Sequence, residues 1–180
     1  MERLIIQHCA PTLANLKTAN LVNWRGAINE EDFKCCKENL KKKGVEITIL
    51  SKRENGALLY VYRRKRLESD LSQIKAFSIL RKFGYKKIDV DYCLDYLGKR
   101  IEESPCFPHE IGLFLSYPPE DVLGFIENKG QNFKCLGYWK VYCNECEARK
   151  TFERYKKCIE IYMKMYNTKG VGIERLTVAA

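Results

Sequence analysis

The sequence predicts an α/β or α+β fold: one compact domain over residues 1–180, with a mixed sheet of four to five strands, a β-hairpin and flanking helices. Strand-like and helix-like segments alternate along the chain, which is typical of a mixed domain. A length of 180 residues is enough for one well-buried core and short for two. No internal repeat, low-complexity tract or linker divides the chain.

The N-terminal part is predicted to contain a short strand and two helices. Leu4–Gln7 is a strand candidate, and Leu13–Trp24 carries apolar residues at helical spacing. Asn29, with Asp32 three residues later, resembles a capping box, the pattern that opens a helix. The second helix is predicted to end at Gly44, because glycine is favoured just after a helix.

The clearest strand pattern in the chain is a hairpin. Val45–Ile49 alternates apolar and polar residues, Asn55-Gly56 is a favoured turn pair, and Leu58–Tyr62 forms the returning strand. The remaining elements follow from apolar spacing and from Gly and Pro breaks. They are a helix over Leu67–Phe77 with a break near Gly84, a helix over Val90–Ile101 with a break at Ser104-Pro105, a strand over Ile111–Leu115, a helix from Pro118-Pro119 to Gly130, a strand over Phe133–Tyr142 and a helix over Glu145–Asn167.

Composition and charge narrow the class of protein. The apolar stretches are far shorter than the roughly 20 residues that span a bilayer, so no membrane partner is expected. The N-terminal segment does not fit a signal peptide, and we therefore expect a cytoplasmic protein whose nine cysteines are reduced thiols. A formal charge of +9 fits a solvated surface or a polyanionic partner, and the surface interpretation is favoured.

Cys9 and His109 are the strongest candidates for chemistry. The predicted position of Cys9, at the end of a strand and just before a helix, favours a reactive thiolate. His109 is one of only two histidines, and Glu110 follows it as the carboxylate that would orient it. A cysteine, a histidine and an acidic residue form the minimal set for thiol catalysis. The alternative is a partly buried cysteine that caps a helix and a histidine bonded to the backbone.

Cys143 and Cys146 form a CxxC pair, which supplies half of a tetrahedral zinc site. No second CxxC pair and no histidine follows at ligand spacing, so no metal residue is assigned. A redox role is disfavoured as well, because the pair lacks the usual position between a strand and a helix. We interpret the two residues as incidental cysteines at the start of a helix.

Two segments alternate aromatic and basic residues, YVYRRKR at 60–66 and GYWKVY at 137–142. Such strands can stack bases and neutralise phosphates, as in proteins that bind single-stranded nucleic acids. The consensus motifs of the common RNA-binding modules are absent, so nucleic-acid binding is a minority interpretation. Nucleotide-binding loops and metalloprotease motifs are absent too.

A family resemblance runs nearly end to end, through HCAPTLANLKTANL, PHEIGLFLSYPPEDVLGFIENKG, KCLGYWKVY and FERYKKC. These segments resemble a clostridial family catalogued as domain of unknown function 3793, which has no established activity. The resemblance implies that the following positions belong to the family's motifs: Cys9, Pro11, Lys17, Asn20, His109, Glu110, Tyr138, Trp139 and Lys140. Asn15 and Ser116 stand where the family pattern leads us to expect glycine, and the pattern does not feature the CxxC pair.

Three hypotheses for function follow. The first is a thiol-dependent enzyme that acts on a small anionic substrate, and the second is a non-catalytic carrier of iron, haem or another metal ligand. The third is binding of single-stranded nucleic acid. The candidate catalytic residues are Cys9, His109 and Glu110, and the candidate ligand-binding residues are Lys17, Asn20, Tyr138, Trp139 and Lys140. The sequence identifies neither a cofactor nor an oligomeric state.

Overall fold

The computed structural model describes residues 1–104 and 106–179, which form an α+β structure, as the sequence predicts. The helices in these ranges are α1 Glu2–Leu13, α2 Glu30–Lys41, α3 Arg64–Leu71, α4 Ile74–Lys82, α5 Val90–Glu103, α6 Ile111–Phe114, α7 Pro119–Glu127, α8 Glu145–Lys169 and α9 Ile173–Leu176. The strands are β1 Ala19–Arg25, β2 Glu46–Arg53, β3 Gly56–Tyr62, β4 Cys135–Leu136 and β5 Lys140–Val141. The predicted break at Ser104-Pro105 falls partly outside the described residues.

Contacts along the chain divide it into two compact units. The first unit comprises Met1–Arg66 with Tyr155–Ala180, and the second comprises Leu67–Arg154. The expectation of a single domain over residues 1–180 stays a prediction. The two units are therefore described one at a time.

The first unit is built on a three-stranded antiparallel sheet with the order β1-β3-β2. Helices α1 and α2 pack on this sheet, and α9 contacts both helices. The apolar core between them is formed by fully or almost fully buried side chains, among them Ile5, Cys9, Leu13, Val22 and Leu59. The register between β2 and β3 shifts at one point between Ile49 and Ser51, which indicates a bulge in β2.

The prediction for the N-terminal segment was wrong. The predicted strand at Leu4–Gln7 lies inside helix α1, and the predicted helix at Leu13–Trp24 gives way to strand β1. Ile5, Cys9 and Leu13 are spaced four residues apart and all are fully buried, which is the spacing of a helix face. Strand β1 owes its conformation to pairing with β3, a contact that local apolar spacing does not reveal.

The turn and cap predictions in the first unit are confirmed. The Asn29 side chain accepts a hydrogen bond from the Asp32 backbone N–H at 3.0 Å and caps α2. Gly44 follows α2 with a φ of 76°, a left-handed conformation that favours glycine. The Asn55-Gly56 turn joins β2 to β3 as an antiparallel hairpin.

Asn15 in the first unit and Ser116 in the second also adopt left-handed φ angles, 59° and 56°. This conformation favours glycine, which explains why the family pattern leads us to expect glycine at both positions.

The second unit consists of helices and one short hairpin, and it differs from three of the predictions. Ile111–Leu115 is not a strand, because Ile111–Phe114 forms the short helix α6. An apolar run of this length has no distinguishing period, so a buried helical turn and a buried strand look alike in sequence. The strand predicted over Phe133–Tyr142 is a two-stranded antiparallel hairpin of β4 and β5. The helix predicted over Leu67–Phe77 is interrupted and forms α3 and α4.

Gly124, inside α7, allows the hairpin to pack closely, and Gly124→Ala is expected to destabilise the protein. Alanine normally favours a helix over glycine by about 1 kcal/mol. Here the added Cβ would lie 2.5 Å from Cγ and 2.6 Å from Cβ of Tyr142. We expect urea unfolding to show a free energy of unfolding lower by about 2 kcal/mol, because the overpacked ring must move.

The matched control for this prediction is the same substitution in a Tyr142→Gly background. There both the ring and the Cβ of residue 142 are gone, so Gly124→Ala is expected to be neutral or stabilising. An equal loss in both backgrounds would contradict the packing explanation.

Among residues 1–104 and 106–179, no helix combines the length and the apolar character that crossing a membrane requires.

Candidate functional site

A cavity of about 440 Å³ lies in the second unit, where the segment before α6, helices α6 and α7, and the β4–β5 hairpin meet. Apart from the tyrosine hydroxyls and the tryptophan N–H, three of its fourteen lining residues carry polar or charged side chains: His109, Asp121 and Lys140. The other eleven are apolar, aromatic or glycine: Phe107, Pro108, Ile111, Gly112, Tyr117, Val122, Phe125, Leu136, Gly137, Tyr138 and Trp139. The cavity is therefore a mostly aromatic chamber with a few polar groups, as ligand sites commonly are.

Asp121 attaches the hairpin to helix α7. Its Oδ2 accepts a hydrogen bond from Trp139 Nε1 at 2.7 Å. Its Oδ1 accepts from the backbone N–H groups of Tyr142 at 2.7 Å and Cys143 at 2.9 Å. The Asp121 side chain is buried, so three donors compensate the loss of water around one carboxylate. This carboxylate places Trp139 in the cavity wall.

Aromatic contacts hold the Trp139 ring from both sides. The Tyr117 ring stacks on it with 4.9 Å between ring centres and an interplanar angle of 26°. The Phe152 ring, on α8, meets it edge-on at 4.6 Å and 81°. The Tyr117 hydroxyl also donates to the backbone oxygen of Tyr138 at 3.1 Å. These contacts make the hairpin side of the cavity a pre-organised wall.

Lys140 places a cation at the cavity. Its Nζ donates to the backbone oxygen of Gly130 at 2.7 Å and lies 4.9 Å from the ring centre of Phe133 and 5.7 Å from that of Phe125. Cation–π contacts of this kind hold an ammonium group near aromatic faces. An ammonium group carries three hydrogens, and within the described ranges only Gly130 accepts one of them. Lys140 therefore keeps donors for a ligand.

His109 lines the same cavity from the segment before α6. Its ring meets the Phe125 ring edge-on, with 5.0 Å between centres and an interplanar angle of 65°. The side chain is exposed, and none of the described residues forms a hydrogen bond with its ring nitrogens. The imidazole is therefore available to a molecule in the cavity.

Glu110 is fully buried and does not line the cavity. Its Oε1 accepts from Arg100 Nε at 2.5 Å and from the Tyr85 hydroxyl at 3.5 Å, and its Oε2 has no partner among the described residues. This carboxylate forms an ion pair with α5 and so anchors the segment that carries His109. The orienting contact to the imidazole that the sequence suggested is not formed between the two side chains, both of which the structure describes, and the catalytic role of Glu110 stays a prediction.

The candidate residues of the first motif lie in the first unit. Cys9 is inside α1 rather than at a strand end, and Lys17 is buried in the connection from α1 to β1. Asn20, on β1, accepts a hydrogen bond from the Thr12 hydroxyl at 2.8 Å. Lys17 Nζ lies 5.9 Å from the ring centre of Tyr155. Cys9 and Lys17 are thus buried and Asn20 is partly buried in the first unit, whereas His109, Tyr138, Trp139 and Lys140 line the cavity.

Burial controls the protonation of Cys9 and Lys17. Burial raises the pKa of the Cys9 thiol well above its usual range, although the Lys17 cation acts to lower it. Burial lowers the pKa of Lys17 to about 8, although the neighbouring Cys9 acts to raise it. Both changes favour the neutral forms in the folded protein. A neutral, buried thiol is a weak nucleophile.

We expect Cys9 to react with iodoacetamide at least about a hundredfold more slowly than a free thiol near neutral pH. Cys35 and Cys106, which are exposed, serve as internal references and should react quickly. Peptide mass spectrometry after timed labelling measures each rate. In concentrated urea all three should react alike. Labelling of Cys9 in the folded protein at the rate of the references would instead support an activated nucleophile.

The other two hypotheses find little support in the geometry. Within residues 1–104 and 106–179, no group of three or more His, Cys, Asp or Glu side chains is arranged to hold a metal ion. In the segment YVYRRKR, the side chains of Tyr60, Tyr62 and Arg63 are buried. The rings of Tyr60 and Tyr62 stack on each other, with 5.0 Å between ring centres, rather than facing solvent. A base-stacking surface therefore does not form there.

Sequence reasoning missed several residues of the cavity. Phe107, Tyr117 and Phe125 form part of the aromatic wall, and Asp121 holds the hairpin, but none of the four was a candidate residue. The available signal for Asp121 was that a buried indole N–H, here that of Trp139, needs an acceptor.

A model of the family described as "Protein of unknown function (DUF3793)" matches residues 5–177, and the chain belongs to that family. The resemblance inferred from the sequence segments is therefore confirmed. No curated protein and no solved structure matches the chain.

Proposed function

We propose that this member of the family binds a small, flat, anionic molecule in the cavity of the second unit. The observation that carries the proposal is that the cavity combines an aromatic wall with unused hydrogen-bonding capacity: the remaining N–H donors of Lys140 and the ring nitrogens of His109. A volume of about 440 Å³ lies in the range of small-molecule sites.

The preference for a flat ligand follows from the aromatic side chains that line the cavity. Phe107, Tyr117, Phe125, Tyr138 and Trp139 all line the cavity. Ring contacts already fix Tyr117, Phe125 and Trp139, so little conformational entropy is lost when a ligand binds. Aromatic faces bind planar groups by offset or edge contacts. A planar ring system is the ligand class that such a wall supports best.

The preference for an anionic ligand follows from the charged side chains of the lining, Asp121 and Lys140. Asp121 is the only acidic residue among the fourteen that line the cavity, and three donors already occupy its oxygens. The ammonium group of Lys140 is the remaining full charge in the lining. A carboxylate, sulfonate or phosphate on the ligand would meet a donor rather than a competing anion.

Binding is better supported than catalysis. The fourteen lining residues include no Cys, Ser, Thr or Glu. His109 is the one imidazole of the lining, and none of the other thirteen lining residues is a cysteine, serine or threonine nucleophile. This proposal keeps the small anionic ligand of the first hypothesis. Thiol chemistry at Cys9 stays a prediction, which the labelling experiment addresses.

The test compares 2-naphthoate with the neutral 2-naphthamide, two flat probes that differ in charge. In a Trp24→Phe background Trp139 is the only tryptophan, so its fluorescence reports on the cavity. We expect saturable quenching by both probes, with tighter binding of naphthoate. Lys140→Met is expected to weaken naphthoate binding about tenfold, because a charge-assisted hydrogen bond is lost, and to leave naphthamide nearly unchanged.

Lys82→Met provides the matched control, since it removes one charge from an exposed position on α4 that does not line the cavity. It should leave the affinity for both probes unchanged. Equal affinities of the unchanged protein for the two probes, or equal effects of the two lysine substitutions, would remove the preference for anions. No saturable quenching by either probe would remove the proposed site.

A further inference from the structure

The CxxC pair lies between a strand and a helix, which corrects the interpretation of the sequence. Strand β5 ends at Val141, and Cys143 follows two residues later. The Asn144 side chain accepts from the Glu147 backbone N–H at 3.2 Å and so caps α8. Cys146 lies in the first turn of α8. This arrangement places one cysteine just before a helix and the other one turn inside it.

Both thiols are accessible and unbonded. Cys143 and Cys146 are free cysteines with exposed side chains. Only two residues separate the cysteines, and Asn144, the residue that follows Cys143, is exposed and lies outside α8, so the chain can bring the two sulfurs to bonding distance by a local change at the start of the helix. The other exposed cysteines, Cys35 and Cys106, have no cysteine three residues away with which to form such a pair.

The backbone of Cys143 is held at both of its polar atoms. Its N–H donates to Asp121 Oδ1 at 2.9 Å, and its carbonyl oxygen accepts from Lys134 Nζ at 2.7 Å. The first contact comes from α7 and the second from the segment that precedes β4. Cys143 therefore keeps a defined position at the end of the hairpin while α8 presents Cys146 beside it.

We propose that Cys143 and Cys146 form a redox-active dithiol, which is oxidised to an intramolecular disulfide by exchange with a low-molecular-weight disulfide. The site is separate from the proposed ligand cavity, because neither cysteine lines it. The dithiol would give the chain a two-electron redox couple, whereas the fourteen residues that line the cavity include no cysteine.

The exchange takes place in two balanced steps. The Cys146 thiolate attacks one sulfur of the disulfide RSSR, which forms the mixed disulfide Cys146–S–S–R and releases one thiolate, RS⁻. Cys143 then loses its proton to solvent and attacks Cys146 Sγ, which forms the Cys143–Cys146 bond and releases the second RS⁻. Both released thiolates take up the protons lost by the two cysteines. The pair loses two electrons, and RSSR is reduced to two RSH.

The order of attack follows from the surroundings of Cys143. Burial raises the pKa of its thiol, and the carboxylates of Asp121 and Glu120 act in the same direction. Lys134 and Lys75 act to lower it but do not reverse the change. The geometry supports this direction, because the Asp121 carboxylate contacts the Cys143 backbone N–H at 2.9 Å and its negative charge disfavours a second anion on Cys143. We therefore assign Cys146 as the attacking residue.

The test uses the full chain in anaerobic glutathione redox buffers, followed by acid quenching, alkylation and tryptic mass mapping. Cleavage after Lys140 and Arg149 gives the peptide Val141–Arg149, which contains both cysteines of the pair and no other. We expect this peptide to lose two hydrogen atoms and both alkylation sites in a single transition as the buffer becomes more oxidising. Cys35→Ser and Cys106→Ser are the matched controls and should not change that transition.

Single substitutions within the pair test the order of attack. Cys143→Ser is expected to accumulate a glutathione adduct on Cys146. Cys146→Ser is expected to form the adduct on Cys143 at least about tenfold more slowly. Adducts on both residues at equal rates would overturn the assigned order. A peptide that keeps two alkylated thiols across the whole buffer range, or a bond that maps to Cys135, would overturn the dithiol itself.

Discussion

Asp121→Asn is expected to lower the free energy of unfolding by about 3 kcal/mol and to abolish quenching of Trp139 by the naphthoate probe. The carboxylate accepts three hydrogen bonds in a buried position, two from backbone N–H groups and one from the indole. An asparagine side chain has one acceptor atom and one donor group. If its oxygen faces the two backbone donors, its NH₂ group meets the indole N–H, and a buried donor is left unpaired.

Urea unfolding and probe titration measure the two effects of Asp121→Asn. Asp95→Asn, at an exposed position on α5, is the matched control and should change neither quantity. The sharper test is a double-mutant cycle with Trp139→Phe, which removes the indole donor. We expect a coupling energy of about 1–2 kcal/mol, so that Asp121→Asn costs less when Trp139 is absent. Strictly additive losses would contradict a direct conflict between the two side chains.

Arg100→Met is expected to destabilise the protein by about 3–5 kcal/mol, because it leaves the Glu110 carboxylate buried without its cation. The Glu110 side chain is 0% exposed and the Arg100 side chain 28% exposed. The two ends of the ion pair therefore differ in their access to water. Glu110→Gln leaves the Arg100 guanidinium without its anion, but this group is partly exposed to water and lies 5.3 Å from the Phe83 ring centre. That substitution should cost less, about 2–3 kcal/mol.

The double variant Arg100→Met/Glu110→Met separates ion pairing from packing. Replacing both members of a buried pair by apolar side chains is often nearly neutral. We therefore expect the double variant to be more stable than Arg100→Met alone in urea unfolding. A double variant that is no more stable than Arg100→Met alone would contradict the explanation that the buried, unpaired Glu110 carboxylate causes the loss in Arg100→Met.

The two predictions connect stability to the proposed site. Asp121 holds the hairpin that carries Trp139 and Lys140, and Glu110 is the chain neighbour of His109. Neither carboxylate is expected to touch a ligand, since Asp121 is saturated and Glu110 lies outside the lining. Both are positioning residues. Their loss should therefore affect the naphthoate and naphthamide probes alike, whereas loss of Lys140 should affect only the charged one.

The sequence by itself determined the elements whose signals are local. Asn29 caps α2, Gly44 follows it in a left-handed conformation, and Asn55-Gly56 joins the hairpin strands. Each of these features depends on hydrogen bonds or φ angles within a few residues, so the residue types alone indicate them. The motif resemblance also identified His109, Tyr138, Trp139 and Lys140, all of which line the cavity.

Only the tertiary structure decided the features that depend on distant partners. Ala19–Arg25 is a strand because β1 pairs with β3, more than thirty residues along the chain. Leu4–Gln7 is helical because α1 packs one apolar face on that sheet. Asp121 became a central residue because its three donors come from residues 139–143. The reactivity expected of Cys9 depends on water around the sulfur, and its place in the core excludes that water. Apolar spacing records which side chains avoid solvent, but it does not record which partner covers them.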